Sequence, residues 1–386
     1  MRRFIQELKD FPKKGDMVLL LLCLVVSAFG IVAIASTTAS EKFGDGRIKY
    51  VIIQFLAVGL GVMIYAIMSS IDIEAMSERR NLLVTFNVLL LLMLIPFGVS
   101  HGGNRSWLDI PLLPVNVQPA EICKITYIII MASVMSSHQN RLSSIPSVFH
   151  MVFHLALLVG LNMLLSKDAG VSLIFVFIFV GMTFAGGVHL GWFALAIGLI
   201  AVAIPIAWPL LGEYQQERIM VLLDPSFDAS GTGARYHHKI NMLSLTGGGL
   251  TGQGLFNGNR TQARMLYAQH TDYIFSSMGE ELGFFGCVLI MLMEFLIIAR
   301  CIWVGVRCQD YIRRLVCFGA ASAMIFQVMI NIGMCIGVMP VIGLTLPLIS
   351  YGGSSVVTIF AMLGLVSGSY ARPSSLSHER YIQPYR

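Results

Sequence analysis

The stretch MVLLLLCLVVSAFGIVAIAS, residues 17–36, holds no Asp, Glu, Lys, Arg or His. As a helix rising about 1.5 Å per residue it would be about 30 Å long, the thickness of a bilayer's hydrocarbon core. Further apolar runs follow at approximately 49–69, 82–99, 120–136, 147–165, 170–187, 190–211, 273–303, 314–338 and 347–370. In lipid every backbone N–H and C=O must find its partner within the protein, and runs this long and continuous do not suit barrel strands. The sequence therefore predicts an all-α integral membrane protein, a ten-transmembrane-helix bundle with a long connection, 212–271, between helices seven and eight. Composition agrees. Of 386 residues 56% are hydrophobic and 12% charged, with a mean hydropathy of +0.76, against roughly 25% charged residues in soluble domains.

Orientation follows from the basic residues. Arg2, Arg3, Lys9, Lys13 and Lys14 precede the first span, whose apolar stretch exceeds the short core of a cleaved signal peptide and reads as an uncleaved anchor. The set of loops that includes both termini carries fifteen Lys and Arg; the short loops of the other set carry six. Basic loops stay in the cytoplasm, so residues 1–16 and the 371–386 tail are predicted to be cytoplasmic and 212–271 to be a large extracellular loop of a single polytopic domain, 1–386. A net charge of +5 spread in this way excludes a nucleic-acid partner.

Several motifs fail on context. Gly247, Gly249 and Gly252 fit G-x-G-x-x-G, but no strand precedes them. His150 and His154 lack the Glu of H-E-x-x-H, and the seven cysteines show neither zinc spacing nor a disulfide framework. With no P-loop, any energy for chemistry comes from the substrate or from a gradient.

Ionisable groups are costly at membrane depth, so those at span ends are the candidate functional residues. Glu121 and Lys124 stand three apart at the start of the fourth span; they could bind substrate or form a structural i,i+3 ion pair. Asp168 opens the sixth span, as a pocket residue or a helix cap. Arg105, Trp107 and Asp109 lie in the preceding outer loop, where a Trp also suits the interfacial aromatic belt. Asp272, at the end of the long loop, could be a base or a plain cap. The span after it is too long for the bilayer, so a projection or kink at Gly279 and Gly283 would bring Asp272, Glu280 and Glu281 near water. All of these cluster towards the outer half.

Taken together, the stretches Gly103-Asn104-Arg105-Ser106-Trp107-Leu108-Asp109, Gln118-Pro119-Ala120-Glu121 with Lys124, Asp224-Pro225-Ser226-Phe227-Asp228, Gly247-Gly248-Gly249-Leu250-Thr251-Gly252-Gln253-Gly254, His270-Thr271-Asp272-Tyr273-Ile274-Phe275 and Pro347-Leu348-Ile349-Ser350-Tyr351-Gly352-Gly353-Ser354-Ser355 resemble the SEDS family, which includes the RodA, FtsW and SpoVE types. The order of these stretches covers nearly the whole chain, and Asn331-Ile332-Gly333-Met334 with Gly337-Val338-Met339-Pro340 is closer to the RodA branch. The chain departs from the family pattern at Tyr267-Ala268, at Ala169-Gly170-Val171 and at His237-His238-Lys239.

The resemblance implies a peptidoglycan glycosyltransferase of the bacterial plasma membrane, polymerising lipid II in elongation or division and working with a class B penicillin-binding protein transpeptidase. It implies Asp272 as the catalytic residue, with Trp107, Arg105, Lys124, Glu121 and Asp168 at the substrate; Arg218 is a further candidate cation for the pyrophosphate. No metal ligand set is evident, although a divalent cation such as Mg²⁺ or Mn²⁺ could share the charge. Read from the residues alone, a precursor flippase or other transporter, or a non-catalytic scaffold, fits the same spans.

Overall fold

The computed structural model describes residues 15–40, 46–101, 104–109, 116–210, 216, 220 and 234–370. In chain order its elements are α1 (Met17–Thr37), α2 (Gly46–Ser69), α3 (Ile73–Glu78), α4 (Arg80–Leu92), α5 (Leu94–Phe97), β1 (Gly98–His101), β2 (Asn104–Leu108), α6 (Pro119–Ser137), α7 (Ile145–Leu165), α8 (Ala169–Gly186), α9 (Leu190–Ala207), α10 (Ala234–Gly247), α11 (Asn259–Gln262), α12 (Ile274–Arg307), α13 (Tyr311–Cys335) and α14 (Gly353–Tyr370).

The chain is a helical membrane bundle. Among the described residues nine helical segments are long and apolar enough to cross a bilayer, with α4 and α5 together forming one of them. The expected seventh span is α9, whose apolar part, Leu190–Ile206, is shorter than the others. Residues 1–14 of the predicted 1–16 tail and the whole 371–386 tail lie outside the described residues, as do most positions from 211 to 233.

Burial divides the bundle into a centre and a rim. Helices α6, α13 and α14 are mostly enclosed by protein, whereas α2, α4 and α7 turn Phe55, Leu82 and Phe149 outward. An exposed apolar side chain on such a helix faces lipid, so the rim costs nothing that water would exact. Helices α2 and α14 meet backbone to backbone. A Cβ on Gly364 would stand 2.6 Å from the carbonyl oxygen of Tyr65, so only a glycine permits the approach. At the opposite end of α12 from Asp272, Asp16 caps α1 and receives both Nε (2.8 Å) and an Nη (2.9 Å) of Arg300, joining the first helix to α12.

Three features differ from the sequence reading. The last span begins at Gly353 rather than 347, because Pro340, Pro347 and the left-handed Gly343 (φ 77°) and Leu348 (φ 58°) keep 339–352 out of a helix. The loop after the third span pairs β1 with β2 as an antiparallel hairpin, which the all-α expectation lacked. The described part of the long connection is structured: it forms α10, a glycine loop and α11, all seated against α12.

That seating explains the glycines at 247–254. The expected break in α12 occurs at Gly283, whose φ of 69° suits a residue without a Cβ. A break inside a span frees backbone groups that lipid cannot satisfy. Here the glycine loop satisfies them: Gln253 and Gly254 N–H donate to the carbonyls of Glu280 (3.0 Å) and Glu281 (2.9 Å), while Phe284 and Phe285 N–H donate to those of Gly249 (2.9 Å) and Leu250 (3.2 Å). The expectation that Glu280 and Glu281 lie near water is overturned, since both are 0% exposed. The Glu280 carboxylate accepts from Arg260 N–H (3.0 Å), Thr261 N–H (2.8 Å) and the Thr261 hydroxyl (2.7 Å), and that of Glu281 accepts from the Ser36 hydroxyl and from Gln262 Nε2 (2.9 Å). Both acids hold the loop to the helix.

Candidate functional site

Asp272 immediately precedes α12. The N-cap position of that helix is Tyr273 and no side chain caps it, so Asp272 does not serve as the plain cap. Three consecutive carbonyls of its segment are instead held from outside. Tyr351 N–H donates to His270 (2.9 Å), the Ser350 hydroxyl to Thr271 (2.6 Å) and Asn331 Nδ2 to Asp272 (2.9 Å). Asn331 Nδ2 also donates to the carbonyl of Leu344 at 2.6 Å. These bonds hold the backbone that carries Asp272. Its Oδ2 faces Gly343, where an added Cβ would lie 3.5 Å away.

The same loop locks the neighbouring rings. Tyr50 lies 4.8 Å from the His270 ring and 5.0 Å, edge-on, from that of Tyr351. Burial pushes the His270 imidazole down to about 4, and the Arg264 charge pushes it the same way, so the ring beside Asp272 is neutral at physiological pH.

Glu121 and Lys124 form the expected i,i+3 ion pair, 2.8 Å long and almost completely buried on α6. The other Glu121 oxygen accepts from the Thr358 hydroxyl of α14 at 2.8 Å. Asp168 is the N-cap of α8: Oδ1 accepts from Val171 N–H (3.2 Å) and Oδ2 from Gln118 Nε2 (3.1 Å), one residue before α6. Its carboxyl is raised above the usual range, by burial first and by the Glu121 charge in addition, while the Val171 N–H and the Ser106 hydroxyl oppose the shift.

These groups share one neighbourhood with Asp272 through the 342–344 segment. A Cβ on Gly170 would meet the side chains of Ile342 (2.6 Å) and Leu344 (3.2 Å), while Gly343 between them touches Asp272. The start of α8, capped by Asp168, thus packs against the same segment that Asp272 faces. The hairpin behaves differently. Arg105 is exposed and donates Nε to the Gly98 carbonyl and Nη to that of Ile95, both at 2.9 Å, bracing the hairpin. Trp107 is half-buried and pairs across the strands with Val99. Arg218 and the Asp224–Asp228 motif lie outside the described residues. Among the described residues no three His, Cys, Asp or Glu side chains are placed to hold a metal ion.

Sequence reasoning missed Asn331 and Gly343 as parts of this site. Asn331 carried a legible signal, a carboxamide within an apolar span. Gly343 carried none, because its role is to leave space beside a residue distant in sequence.

Comparison with known proteins fits this architecture. A family model described as "Cell cycle protein", covering FtsW, RodA and SpoVE, matches residues 16–371. The peptidoglycan glycosyltransferase MrdB of Escherichia coli K12 is 30% identical over 365 residues, covering 94% of this chain and 95% of MrdB. A chain from a peptidoglycan synthase complex that coordinates polymerization and crosslinking superposes with a TM-score of 0.76 at 28% identity, covering 96% of this chain and 99% of that one. The crystal structure of Thermus thermophilus RodA gives a TM-score of 0.67 at 26% identity, covering 92% of this chain and 96% of that one. On its fold, its motifs and these matches, the chain belongs to the FtsW/RodA/SpoVE family.

Proposed function

We propose that this protein is a peptidoglycan glycosyltransferase that joins lipid II units into glycan strands at the outer face of the plasma membrane, with both termini in the cytoplasm. The observation that carries the reading is the Asp272 segment, whose three consecutive carbonyls are held by Tyr351, Ser350 and Asn331 and whose carboxylate faces the 342–344 segment, against which the start of α8, capped by Asp168, also packs.

Nucleotide sugars are absent outside the cell, so the donor must bring its own leaving group, and a lipid-linked pyrophosphate does so. Asp272 takes the proton from the 4-hydroxyl of the acceptor as that oxygen attacks the donor's anomeric carbon. The new C–O bond forms with inversion, the bond to pyrophosphate breaks, and undecaprenyl pyrophosphate leaves. Lys124 stabilises the negative charge that builds on the leaving group, partly offset by Glu121. Asp168 and Gln118 position the helix ends around the pair. Trp107 offers a flat apolar face to a sugar or to the lipid.

A class B penicillin-binding protein is the partner that crosslinks the product, in keeping with the synthase complex that this chain resembles. The test is purified protein, with that partner, given labelled lipid II. Glycan made by the wild type and lost in Asp272→Asn supports the assignment. Normal polymer from Asp272→Asn refutes Asp272 as base; no polymer from either protein favours a flippase or a scaffold.

A further inference from the structure

The loop that joins α11 to α12 walls a cavity. Among the described residues its lining is the single stretch 264–270, and its volume is about 380 Å³, within the range of about 300–1,000 Å³ that small-molecule sites occupy. The loop is anchored at two points. Leu266 is buried, and Gln269 Nε2 donates to the carbonyls of Thr37 (2.5 Å) and Thr261 (3.0 Å), fastening the loop to the end of α1 and to α11. Between and before those anchors the loop displays Tyr267 and Arg264, both exposed. Arg264 and Ala268 hold left-handed backbone, at φ 56° and 50°. Residues with a Cβ keep that conformation only where the surrounding structure imposes it, and such strain gathers at ligand sites.

Three kinds of contact meet in this wall. Tyr267 supplies an aromatic face and Arg264 a guanidinium. Gln269 is 1% exposed, and while its amide nitrogen donates twice, its Oε1 has no hydrogen-bond partner in the protein. A buried acceptor left without a donor is costly, so Gln269 Oε1 marks where a ligand's hydroxyl or amide N–H belongs. A ring face to stack, an anion for the guanidinium and a hydroxyl or amide donor occur together in a saccharide that carries a carboxylate. The cavity ends at His270, two residues from Asp272 and so within about 8 Å of it along the chain. Tyr267 and Ala268 are also where the sequence departs from the family pattern, so the character of this wall is set by the chain's own residues.

We propose that this cavity is a subsite for the acceptor, holding the peptide-bearing sugar next to the one that attacks, with its ring against Tyr267, a hydroxyl or amide N–H donating to Gln269 Oε1, and a peptide carboxylate on Arg264. The assignment rests on the polymerase reading above: with the attacking 4-hydroxyl at Asp272, the following sugar of the acceptor reaches the cavity. Contacts of this kind are made equally before and during bond formation, so they govern KM and leave kcat alone.

The experiment measures initial rates of glycan synthesis by the full chain with its penicillin-binding partner, as the concentration of lipid II is varied. Two substrates are compared, lipid II itself and lipid II whose peptide carboxylates are amidated. Tyr267→Ala and Arg264→Gln should each raise KM about 10-fold. In both, kcat should stay within about twofold of the wild type and the melting temperature should be unchanged. Tyr267→Phe keeps the ring and Arg264→Lys keeps the charge, so each should recover most of the affinity. On the amidated substrate the Arg264→Gln defect should vanish, because the wild type has lost the same contact, while the Tyr267→Ala defect remains. The proposal is overturned if both variants keep the wild-type KM, if kcat falls in place of a rise in KM, or if the Arg264→Gln defect persists undiminished on the amidated substrate. A wild type that makes no glycan overturns the polymerase reading itself, and this subsite with it, a result distinct from every pattern among the variants.

Discussion

Replacing Asn331 by Leu keeps the branched shape of the side chain, with somewhat more volume, and deletes the carboxamide with its donating amino group. That group donates to the Asp272 carbonyl at 2.9 Å and to the Leu344 carbonyl at 2.6 Å. A buried acceptor stripped of its donor loses about 1–3 kcal/mol. Leu344 would bear that in full. At Asp272 the Cys335 thiol remains 3.8 Å from the same oxygen, which keeps the second loss near the lower end, so the two together come to about 2–4 kcal/mol. The strain falls on the residue that carries the proposed base and on the neighbour of Gly343, against which that carboxylate rests. A displacement of about 1 Å at a reacting group costs about 10²-fold in rate. Lipid II polymerisation by Asn331→Leu should therefore fall by about that factor at a temperature where the variant is still folded, as judged by its melting curve. Asn331→Asp, which sets a carboxylate against two carbonyl oxygens, should be worse than Leu in both readouts. Combining Asn331→Leu with Asp272→Asn should lower activity no further than Asp272→Asn alone, because the two act through one group. If Asn331→Leu polymerises at the wild-type rate, the idea that this carboxamide positions Asp272 is wrong.

Other consequences are equally direct. Glu121→Gln strands the buried Lys124 ammonium and should destabilise by about 3–5 kcal/mol; adding Lys124→Met should recover most of the melting temperature. If the double variant also recovers polymerisation, the pair is structural; if it folds without polymerising, Lys124 acts on the substrate. Gly343→Val forces a branched side chain into a left-handed backbone at φ 77° and against Asp272 Oδ2, so it should abolish polymerisation, and an active variant would show that this contact is irrelevant. His270 titrates near 4 folded and near 6.5 unfolded, so the unfolded chain takes up the proton first. Stability is then complete above about 6.5 and declines by about 3 kcal/mol as the pH falls towards about 4. Melting curves across that window should show the decline in the wild type and a smaller one in His270→Gln; identical curves would refute the assignment.

The membrane bundle was legible because lipid leaves a chain few choices: long uncharged runs must be helices, and such runs are visible directly in the sequence. The break at Gly283 was legible too, since α12 exceeds the bilayer and carries a glycine at the right depth. The meaning of the glycines at 247–254 was not, because they satisfy backbone groups of a helix that begins twenty or so residues later in the chain. Glu280 and Glu281 looked available to water for a related reason: their partners, Thr261, Ser36 and Gln262, come from elements that only folding brings to them.

The sequence by itself determined the solvent, the helical class, the family and the short set of polar residues on which the chemistry should rest, since each depends on composition or on contiguous motifs. Tertiary structure alone decided which of those residues meet. It joined Asp168 to Gln118, tied Glu121 to Thr358, turned Arg105 back onto its own hairpin, and placed Asn331 and Gly343 around Asp272. Hydrogen bonds of this kind depend on distances between helices far apart in the chain, and no local pattern encodes those distances.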